Sequence, residues 1–355
     1  MAYKLSKQSA VNLYSEETVV TFTTAFMQAL GASSEEAEII ADGLLTASYW
    51  WHPGQGQGLE KLFRYKRRVQ NGGIVPQAEM VWLTDGPGYA LLDAAKGFGY
   101  VAARRAMEKA VEKAAVTGIA MVSVRHSNHF GIAGYHAWQA AKQGLIGWSM
   151  TNAKAEMAPW GAATPILGTN PWGVAIPRRS ASPIVLDMAL TMSGKGMMRW
   201  LMQEGQPMPD NWALTPDGRK TTNPAEAMDG PVLPIGEYKG YGLSLITDVL
   251  SGVMTGALFG KSVFQDDTNY DVGHTMIAIK PDLYGPEAEF AERLERLVAE
   301  VKEVDPIDPQ KPVILPGEVE FQRMEERRRD GIPIAQETVA GLKALSAELD
   351  LPFPL

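Results

Sequence analysis

The densest run of side chains able to do chemistry is Arg125-His126-Ser127-Asn128-His129-Phe130-Gly131. Three of the chain's five histidines, His126, His129 and His136, fall in this neighbourhood. An imidazole titrates near neutrality, so each can carry a proton, ligate a metal or sit as a satisfied structural group. A metal would want a carboxylate beside the histidine pair, and no acid is close enough in sequence to supply it, so no metal is assigned. Proton transfer and a structural role stay open. A second signal, Gly97-Phe98-Gly99-Tyr100-Val101-Ala102, has the GxGxxA form of a dinucleotide-binding turn between a strand and a helix. The acid expected about 20 residues further on to bind a ribose diol is missing. Those glycines therefore either cradle a phosphate or only let a helix start pack closely. Gly168-Thr169-Asn170-Pro171-Trp172 is a turn by its chemistry, and the strand-like 183–189 delivers Asp187 where it can bond a ligand or cap the next turn. Tyr238-Lys239-Gly240-Tyr241-Gly242 puts a lysine and flexible glycines at a helix N-terminus, whose unpaired N–H groups suit phosphate or carboxylate. Neither GxxxxGK[ST] nor GxSxG occurs.

The elements that must position these groups alternate. Val19, Phe22, Phe26 and Leu30 recur at helical spacing behind Ser15 and ahead of Gly31, and a second helix follows a serine cap at Ser33 or Ser34. Further on, 90–92, 119–124 and 275–279 read as strands, and 100–115 and 287–304 as amphipathic helices, which gives an α/β class. The Arg125 to Gly131 run stands at the end of the strongest of these strands, where α/β folds place ligands. Residues 241–260 carry one charge, Asp248, too costly for a membrane span, and read as a buried helix. Their small residues suit a crowded core or a subunit interface. Pro76 marks a domain edge.

Composition narrows the classes. At 355 residues with 45% hydrophobic and 21% charged side chains, the chain can bury a core of one or two domains. That hydrophobic content argues against disorder, and 41 acids against 33 bases argue against a nucleic-acid partner. The absence of cysteine removes disulfides, thiolate catalysis and cysteine metal sites. No secretory or transit pattern opens the chain, so a cytoplasmic protein with no membrane partner is expected.

Taken in order, SNHFGxAGY, the TN followed by PWG, LGTNPW, LDMA, YKGYGLSLxxDVLSG and LPGE resemble the malate/L-lactate dehydrogenase family of NAD(P)-dependent oxidoreductases, over about residues 34–334. The family includes dehydrogenases of malate, sulfolactate and ureidoglycolate and reductases of diketogulonate and of cyclic imino acids. The resemblance implies a non-Rossmann NAD(P)-binding central domain with a mixed sheet, at 77–261. It also implies a helical substrate and dimerisation domain built from both chain ends, 1–76 with about 262–355, and a homodimer with active sites at the subunit interface. On matching positions it makes His129 the proton carrier and puts NAD or NADP on Ala153, on Asp187, Met188 and Ala189, on Tyr238 and Lys239, and on Gly317 and Glu318. The GxGxxA turn would then be a matter of helix packing.

One loop departs from the pattern. Relatives carry Ser-His-Gly with an arginine four residues after the histidine; here stand Gly56-Gln57-Gly58 and Lys61. Gln57 and Lys61 are thereby expected to face the substrate, and glutamine is no proton donor to an alkoxide. His52, five residues upstream, is a candidate replacement. The expected reaction is hydride transfer between NAD(P)H and C2 of a small 2-oxo or 2-hydroxy acid. A cyclic ketimine acid, whose nitrogen already holds a proton, is an alternative substrate; a non-catalytic nucleotide- or metabolite-binding descendant is an alternative of another class. The Arg178-Arg179 pair is either a site for a 2′-phosphate or a solvated turn.

Overall fold

In the computed structural model, residues 11–50, 58–179, 181–266 and 268–354 are described. The element order is β1 (Val11–Tyr14), α1 (Glu16–Ala29), α2 (Ser34–Trp50), α3 (Lys61–Gln70), β2 (Val81–Gly86), β3 (Tyr89–Asp93), α4 (Gly99–Thr117), β4 (Ile119–Ser127), α5 (Ala133–Ala141), β5 (Ile146–Thr151), β6 (Trp172–Ile176), β7 (Ile184–Met188), α6 (Lys195–Gln203), α7 (Pro224–Ala227), α8 (Tyr238–Asp248), β8 (Val272–Ile279), α9 (Glu287–Lys302), α10 (Glu318–Asp330), β9 (Ile332–Ala335) and α11 (Gln336–Glu348).

Seven strands form one sheet in the order β2-β3-β4-β8-β5-β6-β7. Only β3 and β4, joined through α4, run parallel; every other neighbouring pair is antiparallel. This mixed order is not that of a doubly wound dinucleotide fold, which is built on parallel strands. The β8 strand lies in the middle of the sheet, between β4 and β5. Residues 272–279 therefore sit apart from the terminal helical region to which a boundary near 262 assigns them; periodicity identifies a strand but not its neighbours.

The chain ends meet. In a two-stranded sheet, Val11 pairs with Ala335 and Tyr14 with Ile332. Around it α1, α2, α3, α10 and α11 share a core that includes Phe22, Phe26, Leu44, Trp50, Phe321 and Leu342. Helix α2 starts on a capping box: Ser33 Oγ accepts from Glu36 N–H at 3.2 Å, and Glu36 accepts from Ser33 N–H at 3.0 Å. A second core lies between α4 and the sheet, where Ala102, Ala103, Ala106, Ala110 and Ala114 let the helix approach Val122, Val124 and Met276 closely.

The stretch expected to be a buried helix is not uniformly buried. Helix α8 continues as a π-turn at Val249–Val253. It turns its small polar face inward, with Ser244, Thr247, Asp248 and Ser251 buried, and leaves Leu245, Ile246, Val249, Val253 and Met254 exposed. Asp248 is held by accepting a hydrogen bond from Gly260 N–H at 2.7 Å. Among the described residues no helix is long and apolar enough to cross a membrane.

Candidate functional site

The His129 loop follows directly on β4 and is fixed from three sides. The Asn128 side-chain amide donates to the carbonyls of Gly73, Lys96 and Gly97 at 3.0–3.1 Å. Glycine at 99 permits the start of α4 to touch the loop, since a Cβ there would lie 2.2 Å from the Asn128 carbonyl oxygen and 2.4 Å from that of His129. Gly131, at φ +87°, leaves the room that the Tyr100 phenol occupies. The GxGxxA segment is thus consumed in packing α4 against the loop, in agreement with the packing reading.

Within the loop, His129 Nδ1 accepts from Gly131 N–H at 3.3 Å. A neutral ring held this way carries its proton on Nε2. Burial first, and then the field of Lys61, Arg68, Arg64 and the neighbouring His274, hold the His129 imidazole well below its ordinary pKa. Lys61, the first residue of α3, is 7% exposed. Its ammonium is lowered to about 7, by burial and by Arg64, Arg68 and Arg199, against an opposing pull from Glu60. No ion pair to Lys61 occurs among the described residues. Arg68 lies over the Tyr270 ring at 3.7 Å.

The other histidines do separate work. His126 Nδ1 lies 2.9 Å from Asp93 Oδ2. His136 and His274 sandwich Phe130, with ring centroids at 4.7 and 4.8 Å. His136 Nε2 is 2.7 Å from the Phe130 carbonyl oxygen, and burial depresses both of these imidazoles to about 3, so each is neutral. His274 bridges two strand ends, with Nε2 2.8 Å from Ser127 Oγ and Nδ1 2.8 Å from Thr151 Oγ1. That bridge sets the His129 loop beside the Thr151-Asn152-Ala153 segment. Among the described residues, no group of three or more His, Cys, Asp or Glu is arranged to hold a metal ion.

Asn170 joins three of the sequence motifs. Its Oδ1 accepts from Ala153 N–H at 2.9 Å and its Nδ2 donates to the Ser244 carbonyl of α8 at 2.9 Å, with its own backbone at φ +37°. Ser244 Oγ returns a bond to the Gly168 carbonyl at 3.0 Å, and Trp172 Nε1 donates to Thr247 Oγ1 at 2.8 Å. Leu190 N–H reaches the Thr169 carbonyl at 2.8 Å and Ile235 N–H the Leu190 carbonyl at 3.0 Å. Ala153, the strand end Asp187-Met188-Ala189 and the α8 start with Tyr238 and Lys239 are therefore tied to one another. Asp187 also packs against the start of α5, where a Cβ on Gly134 would lie 2.8 Å from the Asp187 Cβ. Tyr238 and Lys239 are exposed.

Gly317 and Glu318 meet β7 at its other end. Val185 N–H donates to the Pro316 carbonyl at 3.0 Å, and Gly317, at φ +91°, would place a Cβ 2.9 Å from Val185 N. Glu318 Oε2 accepts from Leu315 N–H at 2.9 Å and pairs with Lys302. His52 and Gln57 lie outside the described residues. The roles of His274 and Asn170 were not legible in the sequence, because they depend on β8 inserting between β4 and β5 and on α8 docking against 168–172.

A family model for malate/L-lactate dehydrogenase matches residues 14–343. The chain is 36% identical to the malate dehydrogenase of Pyrococcus abyssi over 340 residues, 93% of each protein. It is 33% identical to the (2R)-3-sulfolactate dehydrogenase (NADP(+)) of Chromohalobacter salexigens over 74% of this chain and 79% of that one. The solved sulfolactate dehydrogenase of Methanocaldococcus jannaschii superimposes with a TM-score of 0.90 at 31% identity, covering 96% of this chain and 98% of that one.

Proposed function

The chain belongs to the malate/L-lactate dehydrogenase family of oxidoreductases, and from that premise we propose that it is a cytoplasmic homodimeric enzyme moving a hydride between NAD or NADP and C2 of a small 2-oxo or 2-hydroxy acid. The observation that carries this reading is the placement of one half-buried imidazole, His129, in the loop after β4 and within the field of Lys61, Arg64 and Arg68. A proton carrier beside a cationic cluster is what reduction of an anionic oxo acid requires.

The residues fit a dinucleotide. At the start of α8 the exposed Lys239 offers an ammonium for a pyrophosphate, Asp187 offers a carboxylate for ribose hydroxyls, and Gly317 and Glu318 are further contacts beside β7. When bound, the nicotinamide supplies or accepts the hydride. Lys61 holds the substrate carboxylate, Gln57 is a further substrate contact expected from the sequence alone, and His129 Nε2–H donates to the oxygen on C2. A bound carboxylate offsets the field of the cluster, so substrate arrival raises the proton affinity of His129 at the step that needs it. His52 remains the proposed partner for His129 on the substrate side. By the same reading, 77–261 together with β8 form the cofactor domain, and 1–76 with the rest of about 262–355 form the substrate and dimerisation domain.

The test is a titration with NADH and with NADPH, following energy transfer from the chain's nine tryptophans, then an assay of oxo and hydroxy acids. Saturable transfer and turnover of an oxo acid are expected. Cofactor binding with no hydride transfer to any oxo acid or cyclic imine would favour the non-catalytic reading instead.

A further inference from the structure

A cavity of about 250 Å³ opens beside Gly317, between the start of β7 and the start of α10, with Arg178, Ser182, Glu318, Gln322 and Glu325 in its wall. It lies at the opposite end of β7 from Met188 and Ala189. The proposed cofactor contacts thus run the length of one strand, and this cavity stands at the end away from Ala153, Lys239 and the His129 loop. An extended dinucleotide with its nicotinamide at that loop would place its adenosine here.

Two features of the cavity bear on the ribose. Arg178, with its side chain 12% exposed, is clamped by Glu295 of α9 through Nε at 2.8 Å and Nη2 at 2.6 Å. This is the bidentate fork that an arginine otherwise offers to a phosphate. The pair holds the Glu295 carboxyl below its usual range and raises the Arg178 guanidinium. Arg179 makes only a looser, exposed pair, with Nη2 3.6 Å from Glu287 Oε1. Glu287 and Glu295 are eight residues apart, about two turns, so α9 presents both acids from one face to both arginines of the turn. The remaining charges on the wall, Glu318 and Glu325, are negative, and Lys302 is already paired with Glu318.

Resting on the hydride-transfer reading, we propose that Glu295 makes the enzyme selective for the cofactor without a 2′-phosphate, by occupying the fork of Arg178 beside the adenosine cavity. A 2′-phosphate would have to pull Arg178 from Glu295 and then lie among three carboxylates. A ribose diol needs no such exchange and finds hydrogen-bond acceptors in the same wall.

The experiment compares dissociation constants for NADH and NADPH by tryptophan energy transfer, with no substrate present. Wild type should bind NADH at least about 100-fold more tightly. Glu295→Gln should narrow that ratio at least about tenfold, and Glu295→Asp should keep most of the wild-type preference. In the double variant Glu295→Gln, Arg178→Gln the narrowing should vanish, because the fork is what captures the phosphate. Wild-type preference for NADPH, an unchanged ratio in Glu295→Gln, or a narrowing that survives loss of Arg178 would each overturn the inference while leaving hydride transfer in place. Binding of neither cofactor by folded protein would overturn both.

Discussion

At His129 desolvation and the cations of α3 act in the same direction and favour the neutral imidazole in the free enzyme. On the proposed mechanism, reduction then depends on the substrate's negative charge to restore the proton. Replacing His129 by Ala should lower kcat at least about 100-fold while leaving NADH affinity nearly unchanged; turnover close to wild type would remove His129 from the chemistry. Lys61 makes a separate prediction. With its ammonium lowered to about 7, the cation proposed to hold the carboxylate is lost as pH rises through that value, so KM for an oxo acid should climb above neutrality. Lys61→Arg, which stays charged, should hold KM flat to about pH 9. The stability linkage has the opposite sign. The unfolded chain keeps Lys61 protonated up to the ordinary lysine value of 10.5, so it binds more protons than the folded chain between about 7 and 10.5, and stability gains from this group as pH rises through that window. At this scale the sequence was legible where a residue's place follows from a local pattern, as for His129 in the loop after β4 and Lys239 at the start of α8. It was silent on His274, whose bridge from Ser127 to Thr151 exists only because β8 separates their strands.

The glycines of α4 are a matter for the element. Their GxGxxA spacing also fits a phosphate cradle, and nothing in the local pattern separates the two, because both uses need a missing Cβ at a helix start. What separates them is the loop on the other side: the carbonyls of Asn128 and His129 fill the space above Gly99. Gly99→Ala should therefore cost about 1–3 kcal/mol of stability by overpacking, seen as a lower urea midpoint. It should also lower kcat by displacing the His129 loop, without abolishing NADH binding. Full stability with selective loss of cofactor would mean that the glycines face the dinucleotide after all. Helix α8 shows a similar limit on the sequence. Its near absence of charge reads as burial, yet the buried side is the one with Ser244, Thr247, Asp248 and Ser251, whose hydrogen bonds include ones to 168–172, to Gly260 and to Thr275 of β8, and the aliphatic side faces outward. Hydropathy counts residues on both faces together and so could not assign the sides.

For the whole molecule, the α/β class and the joining of the two chain ends were within reach of motif order and periodicity, whereas the strand order was not. The unpaid feature of the monomer is the outer face of α8. Leu245, Ile246, Val249, Val253 and Met254 lie at spacings of one, three or four along one stripe, and Ile246 is 53% exposed. An aliphatic stripe of this kind on a helix otherwise fixed by internal hydrogen bonds needs a cover. A second copy of the chain is the occupant we propose, because the same helix begins with Tyr238 and Lys239, so a partner seated on the stripe would also close over the proposed cofactor contacts. Light scattering should then give a dimer for the wild type. Ile246→Glu, at an exposed position where folding has little to lose, should shift it to monomer and weaken NADH binding together with dimerisation. A wild-type monomer, or an Ile246→Glu protein that stays dimeric, would show that this face is not the subunit interface. Loss of the dimer with cofactor affinity intact would separate assembly from the site, and would leave the start of α8 to hold the dinucleotide within a single protomer.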